Sequence, residues 1–256
     1  MYICWQLQLG GNLTTAFRCF LGAVILLLLG STLAIGAPIT FVGSSGSLTA
    51  SATFSTSGTN LIITLSNISM ADVMAPSDIL TALFWNGGPA GLGRGSVVIN
   101  AGGTVLFGGT DPGGVVGGEW VYKSGLSGAP AGSGLSSAGF GWFGPGDVFP
   151  GSNLQGPVSP DGVQYGLTSK GDNPLTGNAP VIGDNALIQY SIVATLTGLP
   201  VGFDPSTSIT DVWFQYGTAP DEPGFGSNVP EPALMGAVGV ALLGLGAFRR
   251  LKLWRQ

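Results

Sequence analysis

The chain has 256 residues, 45 of them glycine, and carries 8 Lys and Arg against 13 Asp and Glu with no histidine. Without histidine there is no Ser-His-Asp or Cys-His relay, and the commonest general base and metal ligand are both missing. The acidic balance also argues against nucleic acid, whose phosphates need cationic contacts.

The first element in chain order is an apolar run over residues 20–34, "FLGAVILLLLGSTLA", with Arg18 before it and small residues after it. A cation, a short apolar stretch and a small-residue exit are the three parts of a secretory signal peptide. Ala34 and Gly36 stand where signal peptidase reads small residues, and Pro38 disfavours the next bond. The expected cut therefore lies between Gly36 and Ala37, and residues 1–36 are read as a signal helix. An uncleaved membrane anchor is the alternative. Both cysteines, Cys4 and Cys19, fall in this leader. The exported part then has no disulfide, thiolate metal site or cysteine nucleophile.

The exported part, about 195 residues up to Glu231, is long enough for one domain with a sizeable core. Its three cations, Arg94, Lys123 and Lys170, face all thirteen carboxylates, for a net charge of −10. "SLTASATFST" alternates Leu48, Ala50, Ala52 and Phe54, and "NLIITLSNI" alternates Leu61, Ile63 and Leu65, with the hairpin signal "SGTN" between them. "SDILTALFW", residues 77–85, reads either as a Ser77-capped helix or as a turn entering a strand. Between Gly87 and Gly151 there are 22 glycines, a density no helix tolerates. Trp85, Phe107, Trp120, Tyr122, Phe140, Trp142 and Phe143 are interleaved with them, which argues for short strands joined by glycine turns rather than disorder. "ALIQYSIVATLTGL" puts Ile188, Tyr190, Ile192, Ala194 and Leu196 on one face and Gln189, Ser191 and Thr195 on a wet one. "ITDVWFQYGT" repeats the pattern with Val212, Phe214 and Tyr216. Period-two alternation over so many segments predicts an antiparallel sheet with one solvated side. The fold expected over residues 37–216 is all-β, an antiparallel β-sandwich of jelly-roll-like type, with a barrel as the next choice. Residues 217–229, rich in Pro, Gly and acids, read as an extended, accessible linker.

The last segment, residues 230–256, holds Pro230-Glu231-Pro232, then 16 uncharged residues (233–248), then Arg249, Arg250, Lys252 and Arg255. A helix over 233–248 is about 24 Å long, short for a hydrocarbon core of about 30 Å. It spans with local thinning or snorkelling of its cations. The basic tail, 249–256, belongs on the cytoplasmic side. This order resembles the PEP-CTERM sorting signal of Gram-negative bacteria, and the same segment is catalogued in some ice-binding proteins as their C-terminal region. The resemblance implies recognition of Pro230, Glu231 and Pro232 by an exosortase, cleavage near the motif, and release from the inner membrane to the cell surface or the extracellular polysaccharide matrix. A plain tail anchor is the alternative. Within the domain, Gln164-Tyr165-Gly166, Gly171-Asp172-Asn173-Pro174, Phe203-Asp204-Pro205 and Gln215-Tyr216-Gly217 resemble the punctuation of exosortase-dependent surface proteins. That resemblance implies no reaction and no active site. The partners it implies are signal peptidase, the exosortase and polysaccharide.

Three patterns remain as candidates for chemistry. Asp161, Asp172, Asn173, Asn178, Asp184 and Asn185 cluster among Gly and Pro. Oxygen ligands on tight turns are what Ca²⁺ requires, and Asp161, Asp172, Asn173 and Asp184 are its candidate ligands. The same residues are also ordinary turn formers, and the EF-hand spacing is missing. No other cofactor is indicated. Glu119 beside Trp120, with Asp147 after Trp142, offers a carboxylate pair for glycoside hydrolysis or a sugar-stacking cleft, although aromatics beside turns more often pack. Thr49, Thr53, Thr56 and Thr59 match no two-residue rank of the kind ice binding needs. The function expected is that of an exported, non-enzymatic surface or matrix protein, structural or adhesive. A carbohydrate-binding module or glycan-active enzyme is the alternative, with ice binding third.

Overall fold

The computed structural model describes residues 36–107, 114–144, 153–155, 160, 162–176 and 185–228. The expected signal helix up to residue 35, the expected sorting motif and membrane span, and the basic tail lie outside these residues. Among the described residues no helix is long and apolar enough to cross a membrane.

The fold is all-β. Strands β1 (Ile39–Ser45), β2 (Leu48–Ser57) and β3 (Asn60–Asn67) form a meander. Its two loops, Gly46-Ser47 and Gly58-Thr59, each have two residues with glycine first at positive φ. Such turns match the right-handed twist of the flanking strands. After a 3-10 turn at Pro76–Asp78 come β4 (Leu80–Asn86), β5 (Gly93–Ile99), β6 (Thr104–Leu106), β7 (Val121–Ser124), β8 (Ser133–Ser136), β9 (Leu167–Thr168), β10 (Leu187–Gln189) and β11 (Ser191–Thr197). A four-residue helix, α1 (Pro205–Ser208), precedes β12 (Thr210–Tyr216) and β13 (Gly224–Gly226). One sheet has the order β1-β2-β3-β11-β5. The other runs β13-β12-β4-β9-β10-β6, with β8 pairing both β4 and β7.

One apolar cluster draws from both sheets: Phe41, Phe54, Leu61, Ile63 and Leu65 from the first, and Leu83, Trp85, Phe214 and Tyr216 from the second. Phe54 is the bridge, edge-on to Phe41 at 5.9 Å and to Trp85 at 5.5 Å. A second cluster, with Ala82, Phe84, Val121, Phe140 and Phe143, covers the other face of β4. The aromatics of the glycine-rich stretch thus build core: Trp85, Trp120, Tyr122, Phe140 and Phe143 are all buried.

The alternation read in β2, β3 and β12 holds, and "SDILTALFW" is the turn entering a strand. Its helical ambiguity arose because β4 is buried on both faces from Leu80 to Trp85, leaving an apolar run without a period. Three expectations need correction. The sheets are not wholly antiparallel, since β9 and β10 run parallel. The run expected as one strand over "LIQYSIVATLT" breaks at Tyr190, whose φ is 82°, and passes there from the eight-stranded to the five-stranded sheet. Backbone bonds from Tyr190 N to Thr168 O (3.2 Å) and from Asn67 N to Tyr190 O (2.9 Å) hold the break. Ser191, expected on the wet face, is consequently buried and hydrogen-bonded to Leu65 O, Ser66 and Asn100. Residues 217–228 are also not an extended linker. They turn back through β13, which pairs with β12 and buries Phe225, and Asn228 N donates to Val42 O at 2.9 Å.

Candidate functional site

A cleft of about 500 Å³ opens where β1, α1, β12 and β13 meet, lined by Ile39, Phe41, Ile209, Val212, Trp213 and Pro130 on its apolar side. Ser206, Thr207, Thr210, Asp211, Gly226 and Ser227 supply the polar side. Its geometry comes from a bulge. Thr210 opposes Asn86 and Trp213 opposes Phe84, so three steps on β12 match two on β4. The extra residue puts Asp211 at φ 51°, a left-handed conformation that aspartate tolerates better than most side chains. Bulges re-aim side chains and recur beside functional sites.

Asp211 Oδ2 accepts from Asn86 Nδ2 at 3.0 Å and from the Thr210 hydroxyl at 3.1 Å. Asn86 in turn accepts from Gly132 N at 2.8 Å, so the loop carrying Pro130 is tied to the same carboxylate. On the opposite wall, Asp204 caps α1: its Oδ1 accepts from Ser206 N (3.0 Å) and Ser206 Oγ (2.8 Å), while the Thr207 hydroxyl donates to Asp204 O (3.3 Å). Pro205 at the first helical position suits the fixed φ of proline. The hydroxyl protons of Ser206, Thr207 and Thr210 are therefore used within the chain, and the oxygens that remain are acceptors. The cleft holds one carboxylate and none of the described cations.

Of the calcium candidates, Asp172 and Asn173 are described, whereas Asp161 and Asp184 lie outside the described residues. Asp172 is buried, and its Oδ1 accepts from Val73 N at 3.0 Å. Asn173 N donates to Asp72 Oδ1 at 2.9 Å, and Asn173 Oδ1 accepts from Leu175 N. These contacts tie the loop after β3 to the loop after β9. Burial raises the Asp172 carboxyl above its ordinary range. The Val73 N–H and the neighbouring Thr168 hydroxyl partly offset this, and Asp72 raises it again. A smaller recess of about 180 Å³ beside it is lined by Asp72 and Asp78, but Asp78 Oδ2 already accepts from Met74 N and Ala75 N. Among the described residues no group of three or more His, Cys, Asp and Glu is placed to hold a metal ion.

Trp120 is fully buried, with its indole N–H donating to Tyr165 O at 3.2 Å, and Glu119 is buried next to it. Among the described residues this pair is packed inside rather than facing a cleft, and Asp147 lies outside the described residues. Thr53 stands in a cross-strand rank with Thr40 and Thr64, which sequence spacing along β2 alone did not reveal. Gly36 packs against Asp204 and Pro205, where an added Cβ would meet Pro205 Cδ at 2.8 Å, and Ala37 is exposed. Pro230, Glu231, Pro232, Arg249 and Arg250 lie outside the described residues.

The punctuation motifs act as ties. Asp204 is a helix cap, and Gln215 Nε2 donates to Glu222 O at 2.9 Å. Gly217 sits at φ 70° where a Cβ would be 2.3 Å from the Glu222 carboxyl group. Sequence reasoning missed the cleft residues Asp211, Trp213 and Ser206; the one available signal was the polar pair Thr210-Asp211 opening an otherwise apolar strand. Compared with protein-family models, curated proteins and solved structures, the chain matches none.

Proposed function

We propose that the protein is an exported structural or adhesive component of the cell envelope or exopolysaccharide matrix, with a domain that is a jelly-roll-like β-sandwich. A signal peptide ending at Gly36 starts its export. An exosortase sorts it after transient anchoring in the inner membrane. One observation carries this reading: Pro230-Glu231-Pro232, an uncharged stretch over 233–248 and Arg249-Arg250 follow one another in that order. The prolines keep a helix from starting before residue 233, and the cations hold the far end on the cytoplasmic side. A protease at the outer face then meets Glu231 at a fixed depth. The role involves no catalysis.

The test is fractionation with intact-mass analysis, with and without the exosortase. Wild type is expected to start at Ala37 and to lose about 25 residues, the length of the tail segment, estimated from its span-plus-flank anatomy. Glu231→Ala is expected to stay full-length in the membrane with its β domain folded. Wild type that keeps Gln256 in an exosortase-positive cell defeats the sorting reading. A second reading, a carbohydrate-binding module, is favoured by the acceptor-rich cleft beside Trp213.

A further inference from the structure

We infer that the cleft between β1, α1 and β12 is a binding site for a neutral or amine-bearing saccharide, held by the Asp211 carboxylate and the hydroxyl oxygens facing it. The lining decides the ligand class. Ser206 and Thr210 have donated their protons to Asp204 and Asp211, and Thr207 has donated to a backbone carbonyl. Together with Asp211 these groups accept hydrogen bonds, so the ligand must bring donors to them, while the Ser227 hydroxyl on the same wall can donate or accept. Saccharide hydroxyls and amino groups do so at close spacing.

An anionic ligand is excluded by charge. The described cations, Arg94, Lys123 and Lys170, are absent from the lining, and its one charge is negative. A purely apolar ligand is disfavoured because it would strip water from the exposed Asp211 carboxylate, whose two hydrogen bonds, from Asn86 and Thr210, both go to Oδ2, and desolvating a charge is expensive. The apolar side, Ile39, Phe41, Ile209, Val212 and Trp213, suits the C–H faces of a sugar ring, and the cavity volume is in the range of small-ligand sites. The geometry is also pre-set. The bulge fixes Asp211, Asn86 and Thr210 hold one of its oxygens, and Asp204 fixes the Ser206 wall. Binding therefore does not have to order these groups, which is the main advantage of a preorganised site.

The inference deepens the adhesive part of the proposed function and rests on it only for the source of the ligand; it does not depend on sorting or cleavage. Isothermal titration calorimetry on the exported protein, with four probes, tests it: cellohexaose (neutral), a glucosamine hexamer (amine), an oligoguluronate (anionic) and spermidine (a cation that is not a sugar). Either or both of the first two are expected to bind with Kd between about 1 μM and 1 mM, and the anionic probe about tenfold more weakly or not at all.

Gly226→Leu is the principal variant. Gly226 lines the cleft, its φ is ordinary, and an added Cβ would come no closer than 3.8 Å to Trp213. The leucine therefore fills the cleft without a backbone clash, and binding is expected to vanish while the melting curve is kept. Asp211→Asn, which keeps an acceptor for Asn86 and Thr210, is expected to weaken binding about tenfold. Should Gly226→Leu fail to fold, Asp211→Asn carries the test. Unchanged binding in the variants, equal binding of oligoguluronate, spermidine binding as tightly as the sugars, or no heat with either sugar up to about 10 mM (an affinity below any useful site) each overturns the inference. Sugar binding by a protein that stays full-length in the membrane refutes sorting and leaves the cleft standing. Correct release without sugar binding does the reverse.

Discussion

Removing the Asn67 side chain tests how the two sheets are joined. Asn67 ends β3 and is wholly buried. Its Nδ2 donates to Leu167 O at 3.0 Å and, at 3.5 Å, to Asp78 O. Its Oδ1 accepts from Ser69 N at 3.3 Å and from the Tyr216 hydroxyl at 3.4 Å. One amide thus touches the five-stranded sheet that carries it, the parallel strand β9 and the end of β12. Burial, with the Asp78 carboxylate adding to it, holds the Tyr216 phenol protonated far above its ordinary range despite a hydrogen bond with Ser69, so it remains a donor throughout any assay. Asn67→Ala keeps the backbone bonds to Tyr190 and Lys170 but takes the side-chain partner from the Leu167 carbonyl and the Ser69 N–H, and leaves the Tyr216 hydroxyl with Ser69 alone. A buried polar group without a partner costs about 1–3 kcal/mol. Only the bond to Leu167 is short, so the other groups count at the low end, and the expected loss is about 2–4 kcal/mol. At about 2–4 °C per kcal/mol for a domain of this size, the melting temperature falls by roughly 4–16 °C. Urea titration is expected to show a lower midpoint with an unchanged slope. Asn67→Asp is expected to be worse, because it turns a donor into a charged acceptor against two carbonyls. A loss below about 0.5 kcal/mol, the level of an ordinary surface change, would mean that apolar contact alone joins the sheets.

Two further predictions concern the ties at either end of the domain. Asp172, raised by burial, binds its proton more tightly folded than unfolded. Its contribution to stability is therefore full below the ordinary carboxylate pKa and is lost as pH rises through the raised value. Asn at this position keeps the acceptor for Val73 N and does not titrate. Asp172→Asn is expected to gain stability relative to wild type as pH rises from about 3.5 to 7, across the carboxylate range, and urea titrations showing a pH-independent difference would refute this. Glu222→Ala is expected to cost about 1–2 kcal/mol, because Glu222 Oε2 accepts from Thr218 N and Ala219 N in the turn before β13. Hydrogen exchange read by NMR should quicken selectively in residues 218–226, and uniform or absent change would show that the turn does not hold β13.

The parts of the fold that were legible in the sequence are those with one dry and one wet face. In β2 and β3 the alternation sets register by itself, because a one-residue slip would turn the apolar side chains outward; in β12 Val212, Phe214 and Tyr216 alternate as read, but Gln215 between them is buried too. β4 lacked that signal because both its faces are covered. The break at Tyr190 had none either: a tyrosine at positive φ is held there by long-range bonds to Thr168 and Asn67, and no local residue choice announces them. β13 hid inside a Pro, Gly and acid composition that ordinarily marks a linker, with Phe225 its one core residue. The cleft was illegible for a related reason. Asp211 faces it through a bulge defined by pairing with β4, and the pairing partner is more than a hundred residues away in sequence. The turn residues Asp172 and Asn173 were legible as turns, but what they tie together was not.

The segment after β12 joins the two functional proposals. Gly226 and Ser227 form part of the cleft wall, Ser227 N donates to Val212 O at 2.8 Å, and Asn228 N reaches across to Val42 on β1. This short return closes the seam between the β1 edge of one sheet and the β12 edge of the other. The proposed sorting motif begins at Pro230, two residues beyond Asn228 in sequence. A cut at or after the motif leaves the seam and the cleft wall in the released chain. A cut before Phe225 would remove Phe225, Gly226 and Ser227, open the edge of β12 and expose Phe214 and Tyr216, which Phe225 covers at 5.9 and 5.6 Å. An unpaired strand edge over exposed aromatics is an aggregation hazard. The fold therefore tolerates cleavage on one side of the seam only, and that side is where the proline-flanked glutamate stands.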